Sequence, residues 1–564
     1  MKYLITSALP YINGVKHLGN IIGSLLPSDV YARFLRQQGE EVLFICGTDE
    51  HGTPAEIAAQ QEGLPVAEYC QKMYALQKEI YAGFHIQFDY FGRSSSETNK
   101  EFTQAVFKEL DHNQYIIEKS IDQYYSFDDK RFLPDRYVIG ICPHCQFTKA
   151  RGDQCDQCGH LLDPADLISP KSAISGSANL ELRKEKHLFI DLPKLEPKLR
   201  AWLETKKKTW PAFSVSVANK WLNEGLQARC ISRDLDWGVP IPKAGFEEKV
   251  FYVWFDAPMA YISITKDWAK AVNKNADAWK DWWINQTDKV KYVQFMAKDN
   301  LPFHSIMWPA MLLGTDTPWH TVDVLKGFHW LTYEGGKFST SLQRGIFSDV
   351  ALKLFSGDYW RYYLLANIPE SQDSDFRLSD FVATINKDLV GTLGNFVNRV
   401  SALVTKYFNN TVPNYSPDNE YIKLLQPQCE KLIAEITTDY AELNFRSLMR
   451  KIRELWCLGN EFITEAAPWT VIKTDEAKAA EILAACLHMI RIYSYISFPI
   501  IPVSAEKIFS MLALENQNLS AFNYKNLADF QCLKPGAPLE PIGLLFEKVS
   551  PEKQEDLLKQ FATS

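Results

Sequence analysis

No run of 18 consecutive apolar residues occurs in this 564-residue chain, so no membrane span is expected. The N-terminus, Met1-Lys2-Tyr3-Leu4-Ile5-Thr6-Ser7-Ala8, reaches Pro10 without the apolar core of a signal peptide. An excess of positive charge is also lacking. The net charge of −8 argues against a surface coated with basic groups for nucleic acid, although a sum leaves a local basic groove open. There is no internal repeat and no low-complexity tract. The 11 cysteines are an odd number, and without a secretion signal they fit a reducing cytoplasm better than a disulfide framework. Seven of them (Cys46, Cys70, Cys230, Cys429, Cys457, Cys486 and Cys532) are scattered and read as small buried hydrophobes.

What remains is ordinary for a globular protein, with 46% hydrophobic and 23% charged residues. The length exceeds one compact core and implies three or four domains. Aromatic residues make up 13%, including 15 Trp, which points to large buried contacts or aromatic-lined pockets.

Along residues 1–97, a strand-like run from Tyr3 to Ala8 is followed by a loop and a helical stretch from about Asn20 to Gln38. Gly39 closes it, and a second apolar run, Glu41 to Cys46, ends at Gly47-Thr48-Asp49. Strand, loop, helix, strand predicts a parallel βαβ unit, which places its ligands at the strand ends. Residues 98–249 break that rhythm and read as an inserted domain. The α/β pattern is expected to resume at Val250-Phe251-Tyr252-Val253-Trp254 and again at Lys291 to Met296. From about 380 the pattern is helical. Phe381, Ile385, Leu389, Leu393, Val397 and Val400 form one apolar stripe at spacings of three and four. Further helical stretches over 419–438, 440–465 and 476–496 predict a bundle.

Cys142-Pro143-His144-Cys145 and Cys155-Asp156-Gln157-Cys158 form a CxxC…CxxC pattern, the spacing of a tetrahedral zinc site. Four thiolates leave no open coordination position, so the metal is expected to be structural.

Two loops carry the nucleotide signal. Polar donors in Asn13-Gly14-Val15-Lys16-His17-Leu18-Gly19-Asn20 precede the first helix, whose free backbone N–H groups can meet phosphate oxygens. Gly19 permits close backbone approach. Gly335-Gly336-Lys337-Phe338-Ser339-Thr340-Ser341 suits a loop that holds phosphates. Each is weak alone: the first also reads as a loop histidine with a helix-capping asparagine, the second as a glycine turn with a solvated lysine.

Together, His17-Leu18-Gly19-Asn20 resembles the HIGH signature of class I aminoacyl-tRNA synthetases, and Lys337 to Ser341 resembles their KMSKS loop. The resemblance extends over nearly the whole chain and is closest to the methionyl branch. It is carried by Ala8-Leu9-Pro10-Tyr11, Asp49-Glu50-His51-Gly52-Thr53-Pro54, Ile231-Ser232-Arg233-Asp234, Trp254 to Tyr261 and Phe303 to Pro309. It implies a Rossmann-type parallel-sheet α/β catalytic domain (1–97 and 250–327) split by a zinc-binding connective insertion (98–249). A loop and stem-contact region (328–384), an all-α anticodon-binding bundle (385–530) and a C-terminal tail (531–564) would follow. It also implies ATP, L-methionine and tRNA(Met) with a CAU anticodon as partners, Mg2+ accompanying ATP, and no membrane. The chain stops soon after the bundle, which favours a monomer.

Residue by residue, the resemblance assigns His17, Asn20, Lys337, Ser339, Thr340 and Arg233 to catalysis. Arg233 could instead simply pair with a carboxylate. Gly19, Ala297 and Asp299 would join His17, Asn20 and Lys337 around ATP. Asp49 would take the α-amino group of methionine. Ala8, Leu9, Tyr11, Trp254, Ala257, Pro258, Tyr261, Phe303, His304 and Trp308 would wall its side chain, where aromatic edges suit a thioether. Read without the resemblance, these aromatics are core, and His304 is a satisfied core imidazole. Asn395, Arg399 and Trp469 would meet the anticodon, by stacking and side-chain hydrogen bonds to unpaired bases. The family's loops usually carry His where Asn20 stands and Lys where Thr340 stands. Arg344, just beyond, is expected to compensate in part. Some of the family's members carry a further cysteine knuckle where Ser172 and Ser175 stand here, so the resemblance implies a lost second zinc site and one zinc per chain. The run Lys206-Lys207-Lys208 is open to tRNA phosphates but reads more simply as a solvated charge run. Three competing readings are a class I synthetase for another amino acid, a catalytically silent zinc-containing RNA-binding protein, and a smaller nucleotidyltransferase that shares the His-x-Gly loop but should lack the helix bundle.

Overall fold

The computed structural model describes residues 1–152, 155, 157–158, 160, 162–284, 289–338, 344–514 and 518–561. Its centre is a five-stranded sheet in which every neighbouring pair is parallel: β1 (Lys2–Ser7), β2 (Glu41–Thr48), β3 (Tyr90–Arg93), β4 (Val290–Ala297) and β5 (Val324–Phe328), in the order β5-β4-β1-β2-β3. The strand order reverses between β1 and β4, and a doubly wound sheet opens a crevice at that switch point.

Both faces of the sheet are covered, so its strands are apolar on both sides. Leu4, Leu43, Ile45, Tyr292 and Met296 point to one buried layer, and Ile5, Phe44, Cys46, Val293 and Phe295 to the other. The second layer is continuous with the bundle. A helical run from Leu18 through a widened turn at Ile21–Leu25 leads into α1 (Leu26–Gln37), which packs there. Asp29 of α1 pairs with the fully buried Arg361 at 2.7 Å, and that guanidinium also donates to the carbonyls of Phe84, Pro499 and Ile500. One satisfied buried cation thus ties the sheet to the bundle.

The apolar stripe from Phe381 to Val400 is buried throughout. It runs along Leu378–Thr384, a widened helical segment at Ile385–Gly394 and α2 (Asn395–Phe408). Then come α3 (Glu420–Ala441), α4 (Phe445–Ala466) and α5 (Glu476–Ser497). Among the described residues α5 alone is long and apolar enough to cross a membrane, and its apolar window is 94% buried as the central helix of the bundle.

Three expectations change. Val250–Phe251 pairs antiparallel with Ser232–Arg233 outside the main sheet, and Val253–Asp256 is a helical turn. Tyr252, Val253 and Trp254 of that run wall a cavity, and Val250 and Phe251 are packed into the core. Helices Glu97–His112, Leu192–Lys206 and Ala212–Glu224, read as part of the insertion, bury Phe102, Val106, Leu195, Leu199 and Leu222 in the same layer as Leu4 and Leu43. What stands apart from the sheet is narrower. It comprises the small sheet at the cysteines and the outer part of the long antiparallel pair Ile116–Ser126 and Leu180–Ile190, whose Ile116, Leu188 and Ile190 still pack in that layer. Finally, the C-terminal segment folds back. Phe546, Val549, Leu557 and Phe561 are buried in the main core, the last two on α6 (Pro551–Phe561), and the Tyr333 hydroxyl donates to the Phe561 carbonyl at 2.6 Å.

Candidate active site

The three central strands β1, β2 and β4 end at Ser7, Thr48 and Ala297, and a cavity of about 1060 Å³ opens over those ends. Its floor is stitched by the backbone. The Asp49 N–H donates to the Pro10 carbonyl, and the Ile12 N–H donates to the Asp49 carbonyl, both at 2.9 Å. The loop after β1 is thereby locked beside the end of β2.

One end of the cavity is aromatic. Trp254 stacks on Phe303 with ring centroids 3.7 Å apart, and sets its plane edge-on to Tyr11 and His304. Phe303 and His304 open a widened turn, Phe303–Met307, which aims consecutive side chains inward. His304 Nδ1 lies 2.9 Å from the Asn300 carbonyl and therefore carries the proton. Its Nε2 then accepts from the Tyr261 hydroxyl, also at 2.9 Å. Burial pushes the His304 pKa down to about 4, so this imidazole is neutral at physiological pH. Ala8, Leu9, Ala257 and Pro258 complete the wall. Trp308 does not line the cavity. It is 1% exposed and supports Tyr261 from behind, the rings 6.3 Å apart.

Asp49 sits at the edge of this end, 3% exposed, and its Oδ1 has no hydrogen-bond partner in the structure. Burial, then the charges of Asp256 and Glu50, hold its carboxyl well above the usual range, against the pull of Lys16. An orphaned buried carboxylate oxygen facing a cavity is a receptor for a cation. Behind it, His51 Nδ1 meets Asp256 Oδ2 at 2.5 Å, and Arg93 pairs with Glu50 at 2.9 Å.

The other end is polar and open. His17 stacks on Phe338 (4.5 Å between centroids), and a Cβ at Gly19 would come within 3.0 Å of the His17 ring. Burial, helped by Lys16, pushes the His17 pKa down to about 3, so it is a neutral donor rather than a cation. Asn20 is exposed, and its Oδ1 accepts the His17 N–H at 3.2 Å, leaving the amide NH2 outward. Asp299 lies just past β4, its Oδ1 accepting from Trp330 Nε1 at 3.2 Å. Lys337 is exposed, its Nζ 5.2 Å over the Trp330 ring. Ser339 and Thr340 lie outside the described residues. Arg344 is turned away from the compensating role expected of it. Its guanidinium covers Gly336 and donates to the carbonyls of Tyr333 and Glu334 at 3.3 and 3.4 Å. From the insertion side, Arg136 and Arg233 reach the cavity wall, Arg233 lying 4.1 Å over the Tyr252 ring.

The sequence reading missed Lys16, Arg136, Tyr252 and Trp330, all on the cavity wall. Lys16 and Trp330 border the two motif loops, which was the only available signal for them.

Away from the cavity, the sulfur atoms of Cys142, Cys145, Cys155 and Cys158 all lie within 4.8 Å of one another, an arrangement that could hold a metal ion. The rings of His144 and His160 stack beside it. Ser175, from the region of the lost knuckle, donates to the Asp129 carboxylate at 3.0 Å, beside Ser126, which donates to it at 2.6 Å. In the bundle, the Arg399 guanidinium lies 4.6 Å over the Trp469 ring, with Asn395 exposed one turn away on α2. Lys206 and Lys207 are paired with Asp323 and Glu204, which suits a solvated charge run.

Comparison with known proteins adds the following. The sequence model of tRNA synthetases class I (M) matches residues 3–401, and that of the anticodon binding domain of methionyl tRNA ligase matches residues 412–564. A methionine–tRNA ligase 1 of Acaryochloris marina is 50% identical over 561 residues, spanning 100% of both chains. A methionine–tRNA ligase of Streptomyces avermitilis is 50% identical over 568 residues, spanning 99% of each. Among solved structures, the Mycobacterium tuberculosis methionyl-tRNA synthetase in complex with methionyl-adenylate superposes with a TM-score of 0.76. At 24% identity it covers 97% of this chain and 99% of that one, a likeness of fold.

Proposed function

The chain belongs to the class I aminoacyl-tRNA synthetases, in their methionyl family, and from that membership we propose a division of labour within its cavity. The activity is that of a methionine–tRNA ligase. Methionine and ATP give methionyl-adenylate and pyrophosphate, and the methionyl group then passes to the 3′ end of tRNA. The observation that carries the residue assignments is the orphaned Asp49 oxygen beside the Trp254–Phe303 stack.

In this reading the methionine ammonium neutralises Asp49, and its thioether lies among Trp254, Tyr261, Phe303 and His304. The carboxylate then projects towards the polar end. There it attacks the α-phosphorus of ATP, the bond to the bridging oxygen breaks, and pyrophosphate leaves. No protein nucleophile is needed, so catalysis rests on positioning and on donors aimed at phosphate oxygens. His17 supplies a neutral N–H. Asn20 supplies its outward amide, and Lys337 a cation that can swing from Trp330 onto the phosphates. Gly19 and Ala297 leave room for adenosine, and Asp299 accepts from its ribose hydroxyls. Arg233 faces the adenylate, and Ser339 and Thr340 extend the Lys337 loop. Mg2+ bound to ATP neutralises phosphate charge. The 2′-OH of the terminal adenosine of tRNA then attacks the activated carbonyl.

We assign zinc to the four cysteines. A tetrahedral site with Zn–S of about 2.3 Å separates its sulfurs by about 3.8 Å. The Cys142–Cys158 and Cys145–Cys155 distances are 3.8 and 3.6 Å. We assign the CAU anticodon to Asn395, Arg399 and Trp469, where Trp469 backed by a guanidinium offers a stacking face. ATP, methionine and tRNA meet in the cytoplasm, which is where this reaction belongs. Charging assays test the RNA side. A CAU-anticodon transcript is expected to accept methionine, and Trp469→Ala is expected to abolish its advantage over an otherwise identical CAC transcript. Equal charging of both transcripts by the unaltered protein would contradict the anticodon assignment.

A further inference from the structure

Lys16 precedes His17 and has no part in the division of labour above. Its side chain lines the cavity, yet the residue is only 7% exposed. A buried ammonium has three donors to satisfy. Among the described residues its one side-chain hydrogen bond is to Asn13 Oδ1 at 2.8 Å, and an amide oxygen brings no charge. Asp49 is near enough that the two shift each other's protonation, but they make no ion pair among the described residues. On its other side, the same ammonium helps to keep the His17 imidazole neutral. Lys16 therefore occupies the stretch between the ammonium receptor and the phosphate loop.

Substrate geometry places negative charge in that stretch. In an α-amino acid the carboxylate is one carbon away from the ammonium. With the ammonium on Asp49 and the phosphates at the His17 end, the carboxylate and the α-phosphate meet between them. Apart from Arg233, which comes from the insertion side, the groups at the polar end are poor in fixed positive charge: a neutral His17, the Asn20 amide, and a Lys337 that stands in solvent.

We propose that Lys16 is the catalytic cation that receives the methionine carboxylate and holds it against the α-phosphate. This rests on the assignment of Asp49 to the methionine ammonium. Lys16 keeps its protons throughout. A carboxylate oxygen forms the bond to the α-phosphorus, the bond to the bridging oxygen breaks, and pyrophosphate departs with the electron pair. Burial lowers the Lys16 pKa to about 7, so in the empty cavity part of the population is neutral near physiological pH. Two arriving anions restore the proton, and methionine binding then takes up a proton above that pH. The other groups facing the site are Asp49, Asp256, Tyr11, Tyr252 and His17, with Arg136 near Tyr11 and Arg233 and Lys337 further along the wall. They act on a ligand's ammonium whether or not it has a carboxylate.

Methioninol, with the ammonium and thioether but no carboxylate, separates these contributions. Methionine KM from ATP–pyrophosphate exchange and methioninol inhibition are measured for the wild type, Lys16→Met and Lys16→Arg between pH 6 and 9. Lys16→Met is expected to weaken methionine about 10- to 100-fold, the scale of a charge-assisted hydrogen bond, and methioninol less than about twofold. Lys16→Arg is expected to restore most of the loss. In the wild type the preference for methionine over methioninol declines as pH rises through 7, and in Lys16→Arg it stays flat. Equal weakening of both ligands would overturn the proposal in favour of an effect through Asp49. So would a wild-type preference that ignores pH, or no weakening at all. Should Lys16→Met fail to fold, the wild-type and Lys16→Arg pH profiles decide alone. If the wild type binds neither methionine nor methioninol, it is the Asp49 assignment that fails.

Discussion

At the amino-acid end of the cavity, the walls come from buried elements fixed by packing: the Trp254–Phe303 stack, the Tyr261–His304 hydrogen bond and Trp308 behind them. At the nucleotide end, the groups sit on loops, with Lys337 and Asn20 exposed and Arg344 spent on a turn's carbonyls. A thioether offers only shape and polarisability, so a site that recognises it has to be preformed and dry. Phosphates offer charge, which can be met by mobile donors that close after binding. Changes at the first end are therefore expected in methionine KM and selectivity, and changes at the second in the rate of adenylate formation.

The largest expected effect is at the junction of the two ends. Asp49→Asn removes the receptor for the ammonium, at a cost of about 2–5 kcal/mol for an unpaired buried partner, or roughly 30- to 5,000-fold in kcat/KM for methionine. The same change is expected to raise the thermal midpoint. Folding holds the Asp49 carboxyl above its ordinary value, so its charged form destabilises the native state at every pH above about 4. A variant that loses both stability and activity would show that Asp49 serves the fold instead.

Next in size, Lys337→Ala is expected to lower the exchange rate about 10²- to 10³-fold with little change in methionine KM. An effect confined to KM would erase the distinction between the ends. Tyr261→Phe leaves His304 Nε2 without its donor, worth about 1–3 kcal/mol. It is expected to raise methionine KM by roughly 5- to 150-fold at unchanged rate. Because His304 protonates only near pH 4, this increase is expected to be constant from pH 6 to 9. The smallest effect is expected from Arg344→Ala, a several-fold fall in rate from loosening the turn before the Lys337 loop, consistent with losing hydrogen bonds of about 1 kcal/mol. A loss equal to that of Lys337→Ala would return Arg344 to the phosphates.

Much of this was legible before any coordinates. Short continuous apolar runs flanking a helix specify a parallel sheet, and Cys142 to Cys158 specify a thiolate cluster, because both signals are local. The rest depends on distant contacts. Val250–Trp254 is apolar whether it is a strand or a cavity wall, and only the cavity decides. Trp308 has the same composition signal as Trp254, yet one lies behind the wall and the other in it. The helix Glu97–His112 joins the sheet layer through an apolar face that would equally suit an insertion. Nothing in the residues after 530 announces that Phe561 returns to Tyr333. Lys16 reads as one more loop lysine until burial and Asp49 give it a role.

The most direct test of the account is amino-acid-dependent ATP–pyrophosphate exchange with a panel of methionine, leucine, valine and cysteine. A preformed thioether pocket joined to a working phosphate end predicts exchange that methionine supports at far lower concentration than the others. Exchange favouring another amino acid would contradict the pocket assignment, and no exchange with any of them would mean that the polar end does not catalyse.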